Sequence, residues 1–397
     1  MSSTRRVLLV AYHYPPAGGI AAQRPAKFAR YLPDFGWEPL VVARRPDPGQ
    51  PRDDSFLDAP APRARIGPCE PSRVLGLLPP GLREPCRRAL FVPGPEIGWT
   101  AALAAALPRW MSRWRPAVVY ASSVPLGSLV AAAWAARRAR VPFVPDFHNE
   151  WTRNPYHRPA TPLHAAAHRA MEDAVLRSSA AVVTLNPLHT EDLRARHPAL
   201  PTQTVENGFD PADVPRTPRP PGRRPIVFTY AGAVYGHQDP APFLRALAAA
   251  DLRDVEVRIV GDRFSQFRAG AWPFPVSVRG HLPHRELARV YSESDAFFLC
   301  LASPAARQLP AKLYEYLGAG RPTFALVPPG GAADRFLRER GSGTSVDVDD
   351  PSAWGPALRR FVGTLDDYRP PSAPDLERSA LAKKLAAVLD SAAGRRP

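Results

Sequence analysis

The stretch AFFLCLASPAARQLPAKLYEYLGAGRPTFALV, residues 296–327, holds an apolar run, a proline-marked loop, a helical segment and a second apolar run. Ala296 to Leu301 and Thr323 to Val327 have the length and near-continuous apolarity of strands buried on both faces, and Ala311 to Ala319 reads as the helix between them. Pro310 suits the first turn of that helix, and Gly318 and Gly320 end it. Two strands joined by a crossover helix predict a parallel sheet, and hence a doubly wound α/β domain.

The same pattern extends outward. Before the segment lie strand Ile226 to Ala231, helix Pro240 to Ala250, strands Val255 to Val260 and Val276 to Arg279, and helix His284 to Ser292; after it comes helix Ala332 to Arg340. These elements predict one domain over residues 225–370. An earlier series comprises strand Val7 to Tyr12, helix Ala21 to Leu32, strands Glu38 to Ala43 and Ala117 to Ala121, helix Leu126 to Arg138, strand Phe143 to Asp146, helix His164 to Ser178 and strand Ala180 to Leu185. It predicts a second α/β domain over residues 1–205, with a proline-rich linker at 206–224. A last amphipathic helix, residues 376–390, follows a further proline break and is free to pack back on the first domain. The fold class expected is therefore α/β, two Rossmann-like doubly wound domains facing a cleft, with function in the loops after the strands.

The 397 residues are 45% hydrophobic and 22% charged, the balance of an ordinary globular protein. The net charge of +15 is carried by arginine, apart from Lys27, Lys312, Lys383 and Lys384. Such a surface attracts sugar nucleotides and acidic headgroups alike and does not choose between them. No basic tract is interleaved with aromatic residues, so nucleic acid is not an expected partner. Cys69, Cys86 and Cys300 have neither disulfide nor metal spacing, which predicts a reduced, cytoplasmic compartment and no metal. The opening MSSTRRVLLVAY reads as a first buried strand rather than a leader. The longest low-charge run, Tyr120 to Ala136, is too short to span a bilayer and is broken by Pro125.

Two loops carry the candidate chemistry. In Tyr14-Pro15-Pro16-Ala17-Gly18-Gly19-Ile20, the glycines Gly18 and Gly19 allow backbone N–H groups to approach an anion, with His13 before the loop and Arg24 just beyond it; a tight strand-to-helix turn explains the same residues. In residues 308–322, the helix opening at Pro310 presents its N-terminal dipole to a pyrophosphate, Lys312 adds a positive charge, and Glu315 lies on the same face to accept the hydroxyls of a ribose. A surface ion pair between Lys312 and Glu315 is the alternative. His148 is either a proton partner or a structural hydrogen bonder.

At this point the blocks YHYPPAGGIAAQRPAKFARYLPDFGWEP, FVPGPEIGW, DFHNEWT, ENGFD, YAGAVYGHQDP and PAKLYEYLGAGRP, taken in order, resemble the family 4 glycosyltransferases of GT-B fold over nearly the whole chain. The resemblance implies retaining transfer from a nucleoside-diphosphate sugar to a sugar, lipid-linked or small-molecule acceptor, with no cofactor and no metal. It implies donor contacts from Glu315, Lys312, Leu309, Pro310, Ala311, Gly232, Gly261, Asp262, Arg263 and His281. His148, Asp146, Lys312 and Gln238 are then the candidates nearest the chemistry, and His13, Gly18, Gly19 and Arg24 border the transferred sugar or acceptor.

Three positions depart from the family pattern. Arg307 stands where a glutamate is usual, Gln238 where an arginine is frequent, and Asp146-Phe147-His148-Asn149-Glu150-Trp151 replaces an Asp-x-Arg-Asp-x-Trp block. Arg263, Lys312 and His237 are the cations available in compensation. The departures motivate a second reading, a degenerate GT-B protein that binds nucleotide without transfer, and a sugar-nucleotide epimerase on the same fold is a third. Finally, Pro71 to Trp99 mixes Arg73, Arg83, Arg87 and Arg88 with apolar Val74, Leu75, Leu77, Leu78, Leu82, Leu90 and Phe91, which fits either an anionic membrane surface that admits a lipid-linked acceptor or a mobile loop with a short core helix.

Overall fold

The computed structural model describes residues 4–47, 52–67, 70–234, 236–261 and 272–395. The chain divides into two units, Met1–Glu206 with Arg378–Pro397, and Asn207–Glu377.

The first unit is a seven-stranded parallel sheet of β1 (Arg5–Ala11), β2 (Trp37–Arg44), β3 (Ala64–Ile66), β4 (Val118–Ser122), β5 (Phe143–Phe147), β6 (Val182–Thr184) and β7 (Thr202–Thr204), in the order β3-β2-β1-β4-β5-β6-β7. Its helices are α1 (Ile20–Tyr31), α2 (Pro80–Leu90), α3 (Ile97–Trp114), α4 (Leu126–Ala139), α5 (Pro162–Arg177) and α6 (Pro187–Arg196), joined by the C-terminal helix Arg378–Ala393. Alternate side chains of β1 serve opposite faces, as a pleated strand requires. Val7, Leu9 and Ala11 pack with Phe28 of α1 and with Leu381, Leu385 and Leu389 of the C-terminal helix. Leu8 and Val10 pack with Leu103 and Leu107 of α3 and Leu129 of α4.

The second unit is a six-stranded parallel sheet of β8 (Ile226–Ala231), β9 (Val255–Val260), β10 (Val276–Arg279), β11 (Ala296–Cys300), β12 (Thr323–Val327) and β13 (Gly343–Asp347), ordered β10-β9-β8-β11-β12-β13. The helices α7 (Ala241–Ala249), α8 (His284–Glu293), α9 (Lys312–Gly318), α10 (Ala332–Arg340) and α11 (Pro351–Gly363) cover its two faces. Phe228, Phe298 and Phe324 point toward Phe243 and Phe361, whereas Phe297, Leu299 and Ala325 meet Tyr291, Tyr316 and Leu337. Both sheets therefore have Rossmann-like order, with a reversal of winding between β1 and β4 in the first and between β8 and β11 in the second.

The structure corrects the element assignment in several places. Helix α9 is shorter at both ends than the sequence predicts. The predicted linker is packed: Arg219 pairs with the buried Asp295 at 2.9 Å, and Arg321 Nη1 donates to the Thr217 carbonyl at 2.6 Å. The sequence reading lacks β3, β7 and β13, which are short and partly solvated strands without an apolar run. It also lacks α3, α6 and α11. Asn186, which reads as the end of a strand, caps α6 by accepting from the His189 amide, and Gly355 and Pro356 disguise α11.

Candidate functional site

In the second unit, winding reverses between β8 and β11, so the loops leaving those strands diverge and open a place for ligand. Lys312, the first residue of α9, reaches into it. Its Nζ lies 3.6 Å from the centre of the Tyr230 ring and donates to Gln238 Oε1 at 3.2 Å. Tyr230 holds the loop beneath by donating to the Ala233 carbonyl at 2.9 Å, while the Ala231 amide donates to the Tyr316 hydroxyl at 2.8 Å. Burial lowers the Lys312 ammonium to about 7, against the opposing influence of Glu315.

Two glycines make this approach sterically feasible. A Cβ on Gly232, whose φ is 130°, would stand 3.0 Å from Lys312 Nζ. A Cβ on Gly261 would come within 2.1 Å of the Gly232 carbonyl oxygen. The loops after β8 and β9 thus touch backbone to backbone.

Glu315 follows one turn along α9 and is buried, at 9% exposure. Its Oε1 accepts from His284 Nε2 at 3.0 Å and its Oε2 from the Tyr291 hydroxyl at 2.6 Å. Lys312 and Glu315 therefore do not form a surface ion pair: each is tied to a different set of partners. Both carboxylate oxygens are thus engaged from α8, which fixes the orientation of the group at this end of α9. Leu309, Pro310 and Ala311 form the half-buried turn into α9, with the Leu313 amide donating to the Pro310 carbonyl at 3.1 Å. His281 is exposed beyond β10. Asp262 and Arg263 lie outside the described residues.

The first unit has its own reversal, between β1 and β4, with a different arrangement. Arg24 and Asp146 are both fully buried and paired through two bonds, at 2.7 and 2.9 Å. Arg24 also donates to the Glu206 carbonyl at 2.7 Å and the Val205 carbonyl at 2.8 Å. Burial alone would raise the Asp146 carboxyl, but the Arg24 guanidinium and His148 hold it well below the usual carboxylate range. The expectation that Arg24 meets a ligand and Asp146 joins the chemistry is corrected accordingly. Both are interior groups that join α1, β5 and the chain after β7, and neither has surface to offer a substrate.

His148 sits on this pair. Its Nε2 is 2.7 Å from Ser122 Oγ and 3.4 Å from Asp146 Oδ2, and its backbone amide donates to Ser123 Oγ at 2.9 Å. A Ser-His-Asp relay uses both ring nitrogens, one for each partner. Here both contacts fall on Nε2, so the trio is not a hydrolytic triad. Burial, with the Arg44 guanidinium behind it, lowers His13 to about 4, leaving it neutral at pH 7. In the loop beyond, Gly19 adopts φ 92°, and its carbonyl accepts from the Ala22 amide at 3.0 Å to start α1. Gly18 is half-buried beside it.

The sequence reading missed His284 and Tyr291, the groups that fix Glu315. Their separation of seven residues on α8, two helical turns and one face, was the available signal. It also missed Tyr230 and Tyr316, whose rings look like plain core from sequence, and Ser122. Among the described residues, no group of three or more His, Cys, Asp or Glu is placed to hold a metal ion. No described helix is long and apolar enough to cross a membrane.

Comparison with known proteins assigns both units. Residues 18–208 match the glycosyl transferase 4-like domain, and residues 238–346 match a glycosyl transferase-like domain. The chain belongs to the family 4-like glycosyltransferases of GT-B fold. No curated protein matches it. Among solved structures, sucrose-phosphate synthase from Thermosynechococcus elongatus is similar at a TM-score of 0.60 and 15% identity, over 98% of this chain and 96% of that one. A structure described as a putative UDP-N-acetylglucosamine 2-epimerase from Listeria monocytogenes gives 0.61 and 13%, over 97% and 96%. HepE from Anabaena, solved in complex with UDP and glucose, gives 0.58 and 14%, over 98% and 97%.

Proposed function

We propose that this glycosyltransferase takes a hexosyl group from a nucleoside-diphosphate sugar held by its second unit and passes it, with retention, to a hydroxyl of a glycan, glycolipid or secondary-metabolite acceptor on the cytoplasmic side, without metal or cofactor. The observation that carries the reading is the convergence of Lys312, Gln238 and Gly232 at the end of β8, with Glu315 fixed one turn away. When the bond from the sugar's anomeric carbon to the diphosphate breaks, negative charge grows on the departing oxygen. A cation already in place there stabilises the transition state without reorganising water. Lys312 is that group, and the loops at Gly232 and Gly261 present backbone rather than side chain to the diphosphate. Glu315, steadied by His284 and Tyr291, accepts from the ribose hydroxyls. The acceptor hydroxyl forms the new glycosidic bond and its proton leaves with the diphosphate. In the first unit, His148 and neutral His13 supply hydrogen bonds to sugar hydroxyls.

The Anabaena complex makes uridine diphosphate the first donor class to test. Calorimetry with UDP, GDP and dTDP, followed by hydrolysis of the matching sugar nucleotides, is expected to show one nucleotide bound and its sugar slowly released. Absence of any nucleotide binding would overturn the proposal. Binding without product from any acceptor pool would favour the degenerate protein that Arg307, Gln238 and His148 motivate, and conversion to an epimeric sugar nucleotide would favour the epimerase.

A further inference from the structure

Helix α2 is 11 residues long and has no buried residue. A helix of that length is marginal in water unless something packs on it. Leu82, Cys86, Ala89 and Leu90 recur at the spacing of one helical stripe, and Leu82 and Leu90 are 53% and 66% exposed. The 3₁₀ turn Pro71–Leu77 just before it adds Val74 and Leu77, the latter 89% exposed. His164 Nε2 donates to the Ala89 carbonyl at 3.0 Å, which brings the start of α5 alongside, with Leu163 77% exposed. Five of the eleven exposed large hydrophobic side chains among the described residues thus belong to this one segment and its neighbour.

The charges around them are mostly of one sign, although Arg73 is paired with Asp47 from outside the segment. Between residues 71 and 91 there are four arginines, Arg73, Arg83, Arg87 and Arg88, and Glu84 is the sole acid. Arg87 and Arg88 stand 3.5 and 3.7 Å from Glu84, so one carboxylate serves two exposed guanidiniums. Arg83 spends its contacts on the carbonyls of Leu78 and Gly76, which fastens the turn to the helix while leaving its charge uncompensated.

We propose that residues 71–90, with Leu163, form a docking surface for an anionic phospholipid bilayer, α2 lying in the headgroup plane with its leucines toward the acyl chains. Charge decides the occupant. Apolar insertion together with attraction of arginines to acidic headgroups is what holds an interfacial helix, whereas a second copy of the same patch would set one net positive surface, Arg83 and the Arg87–Arg88 pair over a single Glu84, against another. With no spanning helix among the described residues, attachment through this surface is peripheral. The inference does not depend on the donor chemistry, since membrane binding is read without turnover.

Flotation of the full chain with vesicles of equimolar phosphatidylcholine and phosphatidylglycerol tests it, against vesicles of phosphatidylcholine alone. The chain is expected to float with the anionic vesicles only, and less at high salt, because headgroup attraction is screened. The exposed double substitution Leu77→Glu with Leu82→Glu should lower partitioning at least tenfold, and Arg87→Glu with Arg88→Glu should do so on anionic vesicles. Trp134→Ala, exposed on α4 outside the patch, should leave it unchanged, and all variants should keep the parent melting temperature. Failure to float with anionic vesicles overturns the proposal, as does a leucine variant that floats like the parent. A concentration-dependent dimer that the leucine variant dissolves would assign the patch to a second copy instead.

Discussion

At the reversal of its sheet, the first unit seals a cation and an anion together: Arg24 and Asp146 are fully buried and answer each other through two bonds. At the equivalent place the second unit leaves a cation under-compensated, with Lys312 bonded to a neutral amide and stacked on an aromatic ring. The strand order is of one kind and the use of charge is opposite. A fully paired ion is spent on holding loops; an ammonium lowered to about 7 is held close to the point of gaining or losing its proton, and an arriving anion decides which. The topological position of a charge is not enough to make it functional. What its neighbours leave unsatisfied matters more.

The largest effect is expected at the buried pair. Asp146→Ala leaves Arg24 charged and unanswered except by two carbonyls, and should cost about 3–5 kcal/mol in chemical unfolding. The double variant Arg24→Met with Asp146→Leu should recover most of that loss. A single-variant cost under about 1 kcal/mol would mean that the pair does not hold the loops. The sign with pH follows from the depressed carboxyl. Its contribution is fully present above the unfolded value near 4 and disappears as the pH falls toward the lower folded value.

A smaller loss is expected at the second unit. Lys312→Ala should weaken binding of the nucleoside diphosphate by about 1.5–3 kcal/mol, roughly tenfold to a hundredfold, in calorimetry, with little change in stability. Unchanged affinity would remove Lys312 from the site.

The smallest effect sharpens the contrast. Because free Lys312 titrates near 7 and a bound diphosphate favours its charged form, binding above pH 7 should take up a proton. Affinity should then fall severalfold between about pH 7 and 9. Heats measured in buffers of different ionisation enthalpy count that proton, and Lys312→Arg, permanently charged, should abolish the uptake.

Much of the α/β order is legible in the sequence because strands buried on both faces must be written as apolar runs, and VLLVA, AFFLC and TFALV are such runs. Short edge strands such as β7 and β13 stay half in water and need no such run, so they leave no comparable mark. The segment around Lys312 and Glu315 was visible through its spacing, which places both side chains near one end of a helix. Their partners were not. His284 and Tyr291 come from a helix about 30 residues earlier, and Gln238 from a loop more than 70 residues away.

By itself, then, the sequence determined two doubly wound α/β halves and the helical segment most worth examining, because periodicity and turn chemistry are local properties of a chain. Only the tertiary structure decided that Arg24 is an interior clamp, that Lys312 lies poised over Tyr230, and that the C-terminal helix completes the core of the first unit. Burial and the partner of a charge are set by residues distant in the chain, and those two quantities fix its protonation and its use.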